Sequence, residues 1–131
     1  MKITSLLISL LFLVFYSSYS EKEIILERTW VFKSYDSKSQ TFSYYQRSKF
    51  SKSKPGIQFI KEGKLKVKQS TGNCGTIFPG EKIDYEIVDG TWEKLTDSII
   101  VLKHPLWDKN YTEKFKIVEL TKNKLVTRIL P

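Results

Sequence analysis

The sequence predicts an all-β fold, an antiparallel up-and-down meander of eight or nine short strands closing as a barrel. Three observations predict it. Short segments that alternate apolar and polar residues recur at intervals of about ten residues, with turn-forming clusters between them. No segment sustains an apolar period of 3.6, and no repeat at solenoid spacing occurs. Two of the expected hairpins combine suitable turn residues with apolar partners in register, so local turn chemistry and side-chain patterning agree.

Residues 1–20 stand apart from this pattern. Lys2 is followed by an apolar run from Leu6 to Tyr16 broken only by Ser9, and small residues at Ser18 and Ser20 precede Glu21. That arrangement reads as a secretory signal peptide. The run is shorter than the roughly 20 apolar residues a helical span needs. The mature chain, residues 21–131, is therefore expected to be exported without a transmembrane span, to the periplasm or the exterior. No cysteine lies near Ser20 to carry a lipoprotein anchor. Residues 21–131 form one domain of a size that buries roughly 60 to 70% of its extended-chain surface, enough for one modest core. Cys74 is the only cysteine, so the fold rests on packing without an internal disulfide. Its readings are an intermolecular disulfide, a reactive thiol, or a small residue within a loop.

In chain order, Glu21 to Glu27 carries Ile24, Ile25 and Leu26 as a helical turn or an extended lead-in. Trp30 to Tyr35 is the first expected strand, with Trp30 and Phe32 on one face. The polar stretch Asp36 to Gln40 turns into Thr41 to Gln46, rich in β-forming residues. Arg47 to Lys54 is a loop with four cations (Arg47, Lys49, Lys52, Lys54), and no acidic residue lies between Asp36 and Glu62. Ile57 to Ile60 and Lys64 to Gln69 flank Lys61-Glu62-Gly63, a three-residue turn with Gly63 at the left-handed position. This register pairs Phe59 with Leu65 and Ile57 with Val67, and sends Lys64, Lys66 and Lys68 to the other face.

Ser70 to Glu81 is a glycine-rich loop without the lysine and following helix of a phosphate loop. Ile77 and Phe78 within it read as a plug or a pocket rim. Asp89-Gly90 predicts a tight hairpin turn, because a type I′ turn needs positive φ at both central residues. That turn would pair Ile87 with Trp92, beside Tyr85, and set Glu86 opposite Glu93. Thr96-Asp97-Ser98 is the next turn, and Ile99 to Leu102 a strand covered at least in part on both faces. Pro105 ends it, Lys103 to Lys114 is a comparatively apolar connector, and Leu120 faces Leu125 in the last hairpin.

The chain resembles small bacterial lipocalin-like domains in three places. Leu26-Glu27-Arg28-Thr29-Trp30 is similar to the opening L-x-G-x-W, with Arg28 where the family has glycine. Gly63 in FIKEGKL is similar to the F-x-x-x-G of the second hairpin. Ile117, Leu120, Thr121 and Leu125 resemble the closing strand pair. The resemblance implies a lipocalin-like barrel closed at its base by Trp30, a late arginine, Arg128, stacked on that tryptophan, and an interior able to hold one small apolar ligand.

Chemistry is less marked. His104 is the only histidine, and with Cys74 and the carboxylates it forms no recognisable metal spacing. A Cys74–His104 nucleophilic pair lacks an orienting third group and an oxyanion motif. Asp84 and Glu86 share one strand face as solvated groups. Asn110-Tyr111-Thr112 matches a glycosylation sequon, relevant only in a eukaryotic secretory pathway. The expectation is a non-enzyme without cofactor or metal.

Two functions follow. In the first, a small hydrophobic molecule binds among Phe59, Tyr85, Ile87, Trp92 and Trp107, in an apolar cavity of at least about 300 Å³. In the second, Arg47, Lys49, Lys52 and Lys54, with the lysine comb, engage an anionic envelope component. The formal net charge of +8 and isoelectric point near 9.5 favour such a surface or serve solubility alone. Nucleic acid is not expected as a partner, given the leader and the lack of aromatic residues interleaved with the lysines.

Overall fold

A computed structural model describes residues 25–71 and 83–131. The expected leader and cleavage site, Cys74, Ile77 and Phe78 lie outside the described residues. Eight strands appear in order: β1 (Thr29–Asp36), β2 (Thr41–Arg47), β3 (Gly56–Ile60), β4 (Lys64–Ser70), β5 (Tyr85–Lys94), β6 (Ile99–Leu106), β7 (Lys109–Leu120) and β8 (Lys124–Ile129). They close into an antiparallel barrel with the neighbour order β1-β2-β8-β7-β6-β5-β4-β3. The predicted all-β barrel is therefore what forms. From β3 to β8 the chain is a simple meander.

The first hairpin is the exception to sequential order. β1 lies between β2 and β3, pairing Trp30 with Gln46 on one side and with Ile57 on the other. The connector between β2 and β3 therefore crosses the outside of β1. Pro55 O accepts a hydrogen bond from Phe32 N at 3.0 Å, which extends the ladder beyond the start of β3. The crossing also covers an outward-facing apolar residue. Val31 points away from the barrel axis, yet it is 0% exposed, beneath the stretch carrying Phe50.

Two ends can be distinguished by the connections. The β3–β4, β5–β6 and β7–β8 turns, and the lead-in to β1, lie at one end. That end is closed. Ile25 and Leu26 form a helical turn, and Leu26 O accepts a hydrogen bond from Trp30 Nε1 at 2.9 Å. Trp30, Phe59, Leu65, Ile100, Phe115 and Leu125 are almost wholly buried above it. The Phe59 ring meets Trp92 edge-on at 5.4 Å between centroids and Phe115 at 6.4 Å. Trp92 Nε1 donates to Ile60 O at 2.9 Å, so the partly buried indole has its polar atom satisfied. Trp30 thus closes the barrel base as expected. Arg128 does not stack on it. Its Nε donates to Ser39 O at 3.2 Å, at the opposite end of the barrel, because β8 runs away from the base and its outward phase places Arg128 opposite Thr41.

The β3–β4 hairpin has the predicted register, with Phe59 facing Leu65 and Ile57 facing Val67. Gly63 has φ +74. Leu120 faces Leu125, and the Thr96–Ser98 region turns between β5 and β6. The Asp89-Gly90 hairpin is overturned. Tyr85–Lys94 is one uninterrupted strand, paired with β4 from Ser70↔Tyr85 to Lys64↔Thr91. Glu86 lies opposite Gln69, not Glu93. Gly90 serves close approach instead of a turn. A Cβ there would stand 2.3 Å from Lys103 O and 2.8 Å from His104 Cβ, so only glycine lets β5 and β6 come together at this level.

The positive-φ turn lies elsewhere. Trp107 (φ 50) and Asp108 (φ 65) connect β6 to β7 between the paired Leu106 and Lys109. Positive φ at both central residues is the signature of a type I′ turn. Pro105 lies inside β6 without ending it, and the expected connector Lys103 to Lys114 is the tip of a long hairpin.

Candidate functional site

Above the packed base the barrel is hollow. A cavity of about 400 Å³ opens toward the end that carries the β1–β2 and β6–β7 turns. Its wall is mostly apolar: Phe32, Phe42, Ile57, Val67, Leu102 and Leu106. Phe32 is the centre of an aromatic group, with Phe42 at 6.4 Å and Tyr44 at 5.9 Å between ring centroids. These side chains point inward by alternation: Phe32 pairs with Tyr44, and Ile57 with Val67.

The polar part of the wall comes from β4, β6 and β7 and the tyrosine of β2. The inward phase of β6 runs Ile100, Leu102, His104, and that of β7 runs Phe115, Glu113, Tyr111 in the reverse direction. The pairing Leu102↔Glu113 and His104↔Tyr111 sets these residues side by side. His104 and Tyr111 rings meet edge-on at 5.5 Å. His104 Nδ1 donates to Pro105 O at 2.9 Å, since a carbonyl oxygen can only accept. Gln69 Nε2 donates to the same carbonyl at 3.0 Å and to Glu86 Oε1 at 3.4 Å.

Glu113 is the charged member. It is half-buried. Desolvation pushes its pKa above the usual carboxylate value of 4.5, with His104 pulling in the opposite sense. The Tyr44 hydroxyl is pushed well above the ordinary tyrosine value, first by burial and then by the Glu113 charge. Tyr111 is raised by the same two causes. Both tyrosines thus stay neutral and feel the field of one carboxylate. Among the described residues, neither ion pair involves Glu113, no hydrogen bond to it occurs, and no cluster of three or more metal-ligating side chains occurs.

The sequence-predicted ligand residues divide. Phe59 is inside but belongs to the packed base. Trp92 faces inward below the cavity and forms part of a smaller hollow of about 240 Å³ beside Leu26, Ile100, Ile117 and Leu120. Tyr85 and Ile87 are corrected to the outer surface. With β5 unbroken, odd positions from 85 to 91 point outward, and Ile87 is 55% exposed. Tyr85 lies under the Lys68 ammonium, 5.4 Å from its ring centroid. Trp107 is on the β6–β7 turn at the rim, 57% exposed. Sequence reasoning missed Phe32, Phe42, Tyr44, His104, Tyr111 and Glu113 as a group. Continuing the two-residue period upward from Ile100 and backward from Phe115 would have found the last three.

The basic loop has its own geometry. The Arg47 guanidinium stands over the Tyr45 ring at 4.1 Å, and Lys54 Nζ approaches the same ring at 5.4 Å. Lys54 Nζ also donates to Tyr45 Oη at 3.2 Å. Lys49 and Lys52 are exposed on the crossing stretch. Lys68 reaches this loop by donating to Ser51 O. Lys64 and Lys66 project outward as predicted.

Compared with known protein families, characterised proteins and solved structures, the chain matches none.

Proposed function

We propose that this chain is an exported, lipocalin-like, non-catalytic binding protein that holds one small, mainly apolar molecule in the open half of its barrel. The observation that carries the proposal is the cavity of about 400 Å³ with its largely apolar wall. Pockets for small molecules typically have about 300–1,000 Å³ and a few polar groups on an apolar lining. A Trp30-closed base beneath an open upper half supports the resemblance. His104 and Gln69 spend donors on the Pro105 carbonyl, which fits a role in shaping the wall.

Titration with the neutral dye N-phenyl-1-naphthylamine tests this. Saturable binding with one site per chain is expected, and Leu106→Trp, which fills the cavity from its rim, should weaken it at least tenfold while the fold is retained. An absence of saturable binding, or dye affinity untouched by Leu106→Trp in a folded variant, would overturn the proposal.

A second reading rests on the crossing loop. Arg47 and Lys54 bracket Tyr45 while Lys49 and Lys52 stay exposed, and no ion pair among the described residues neutralises any of the four. We infer a contact surface for an anionic envelope component from this arrangement. Such binding weakens steeply with salt, because exposed charges are screened within about 8 Å at physiological ionic strength. Retention on envelope material that is equal at low and high salt would sink it.

A further inference from the structure

We infer that the molecule held in the barrel carries a cationic nitrogen on an apolar body, with the nitrogen seated at Glu113. This rests on the carrier reading above and names the chemistry of its ligand.

Glu113 makes no ion pair and no hydrogen bond among the described residues. Glu113 projects into the cavity from β7, among Leu102, Leu106, Phe42 and Tyr44. A carboxylate drawn out of water needs a partner to offset its desolvation. The basic side chains nearest the cavity are committed elsewhere. Lys68, which borders it, donates to Ser51 O and lies over Tyr85. Arg128 donates to Ser39 O. His104, the next inward-facing residue of β6 after Leu102, is the remaining basic group; it offsets the Glu113 charge only in part, and its Nδ1 is held by Pro105 O. One carboxyl thus stands in a largely apolar cavity, offset in part by His104 alone, with room for a counter-ion.

The neighbours suit a cation as well. Tyr44 and Tyr111 feel the Glu113 charge, and each offers a ring face that attracts positive charge together with a hydroxyl oxygen that accepts a hydrogen bond. Beyond them lies the Phe32–Phe42 group, which fits an alkyl or aryl tail. An anionic head fits poorly, since it would meet Glu113 while Lys68, the lysine at the wall, is held by Ser51 O. The positive net charge of the whole chain does not reverse this preference, because its exposed charges are screened over about 8–10 Å while the Glu113 contact is direct.

Three probes of equal chain length separate the head from the tail: octylamine, 1-octanol and octanoate, each displacing the naphthylamine dye at pH 7.5 from the full mature chain. Octylamine should bind about tenfold tighter than 1-octanol, which corresponds to about 1.4 kcal/mol, and octanoate should bind weakest. Glu113→Gln should bring octylamine to the affinity of 1-octanol and leave 1-octanol unchanged, which also shows that the variant keeps its cavity. Octanol or octanoate binding as tightly as octylamine, or an amine preference that survives Glu113→Gln, overturns the inference and leaves the carrier reading standing. Failure of the dye and all three probes to bind overturns both.

Discussion

The two ends of this barrel are built from the same strands but solve opposite problems. At the base, Trp30, Phe59, Trp92 and Phe115 pack together beside a smaller hollow of about 240 Å³, and each of the two indole N–H groups finds a carbonyl. At the open end, Phe32, Phe42 and Tyr44 line the wall around a space of about 400 Å³, and Glu113 stands in it with no ion pair or hydrogen bond among the described residues. Dense packing gains dispersion contacts and removes apolar area from water. A hollow forfeits those contacts along its lining. The base thus holds the fold together, and the open end is kept at some cost to stability.

Substitutions at the two ends sharpen that contrast. The largest effect belongs to the base: Phe59→Ala should destabilise by about 3–5 kcal/mol, as for a fully buried aromatic. The matching truncation at the rim, Leu106→Ala, should cost below about 1.5 kcal/mol, because the side chain is half-exposed and already borders open space. Urea unfolding of both variants checks the pair. Equal losses would mean that the upper half is as tightly built as the base.

Tryptophans make a second contrast, of opposite sign. Trp107 is held at φ 50 in an exposed turn, a backbone region that costs about 1–2 kcal/mol for a residue with a bulky side chain. Trp107→Asn, which tolerates that region, should raise stability by about 1 kcal/mol, seen as a melting temperature higher by about 4–8 °C for a domain of this size. A lower melting temperature would show that the indole packs usefully at the rim.

The smallest expected effect is the pH response of Glu113. Its pKa is raised in the folded chain from 4.5, chiefly by burial. The unfolded chain therefore releases this proton first as pH rises. The contribution to stability is fully present below the ordinary carboxylate value and is lost as pH climbs through the raised folded value. Glu113→Gln should flatten that decline, and at neutral pH the variant should be at least as stable as the parent. Thermal melts taken from acid to neutral pH measure it. A decline unchanged in the variant would assign it to other groups.

Much of the closed end was legible before any coordinates. The Lys61-Glu62-Gly63 turn fixes its own register, because a positive φ at Gly63 and alternation on both sides agree, and this alone places Phe59 and Leu65 inside. Trp30 and Phe32 share an inner face for the same reason. The open end was harder to read. Asp89-Gly90 has the residues of a hairpin turn, yet its glycine answers a demand from a neighbouring strand, the nearness of Lys103 O, which local sequence does not display. The actual turn falls on Trp107-Asp108, residues with no glycine to mark them. That one exchange moved Tyr85 and Ile87 outside and hid Glu113 and Tyr111 within an apparent connector.

The sequence by itself determined the strand-rich fold, the inner faces of the base and the outward lysine comb, since each follows from a two-residue period that nearest neighbours can enforce. Tertiary structure alone decided that β1 slips between β2 and β3, that the basic stretch crosses over Val31, and that Glu113 faces an unfilled space. Those three depend on which strands meet when the sheet curls shut, and closure brings together residues such as Gly90 and His104 whose fit is set by distance across the barrel and not by proximity along the chain.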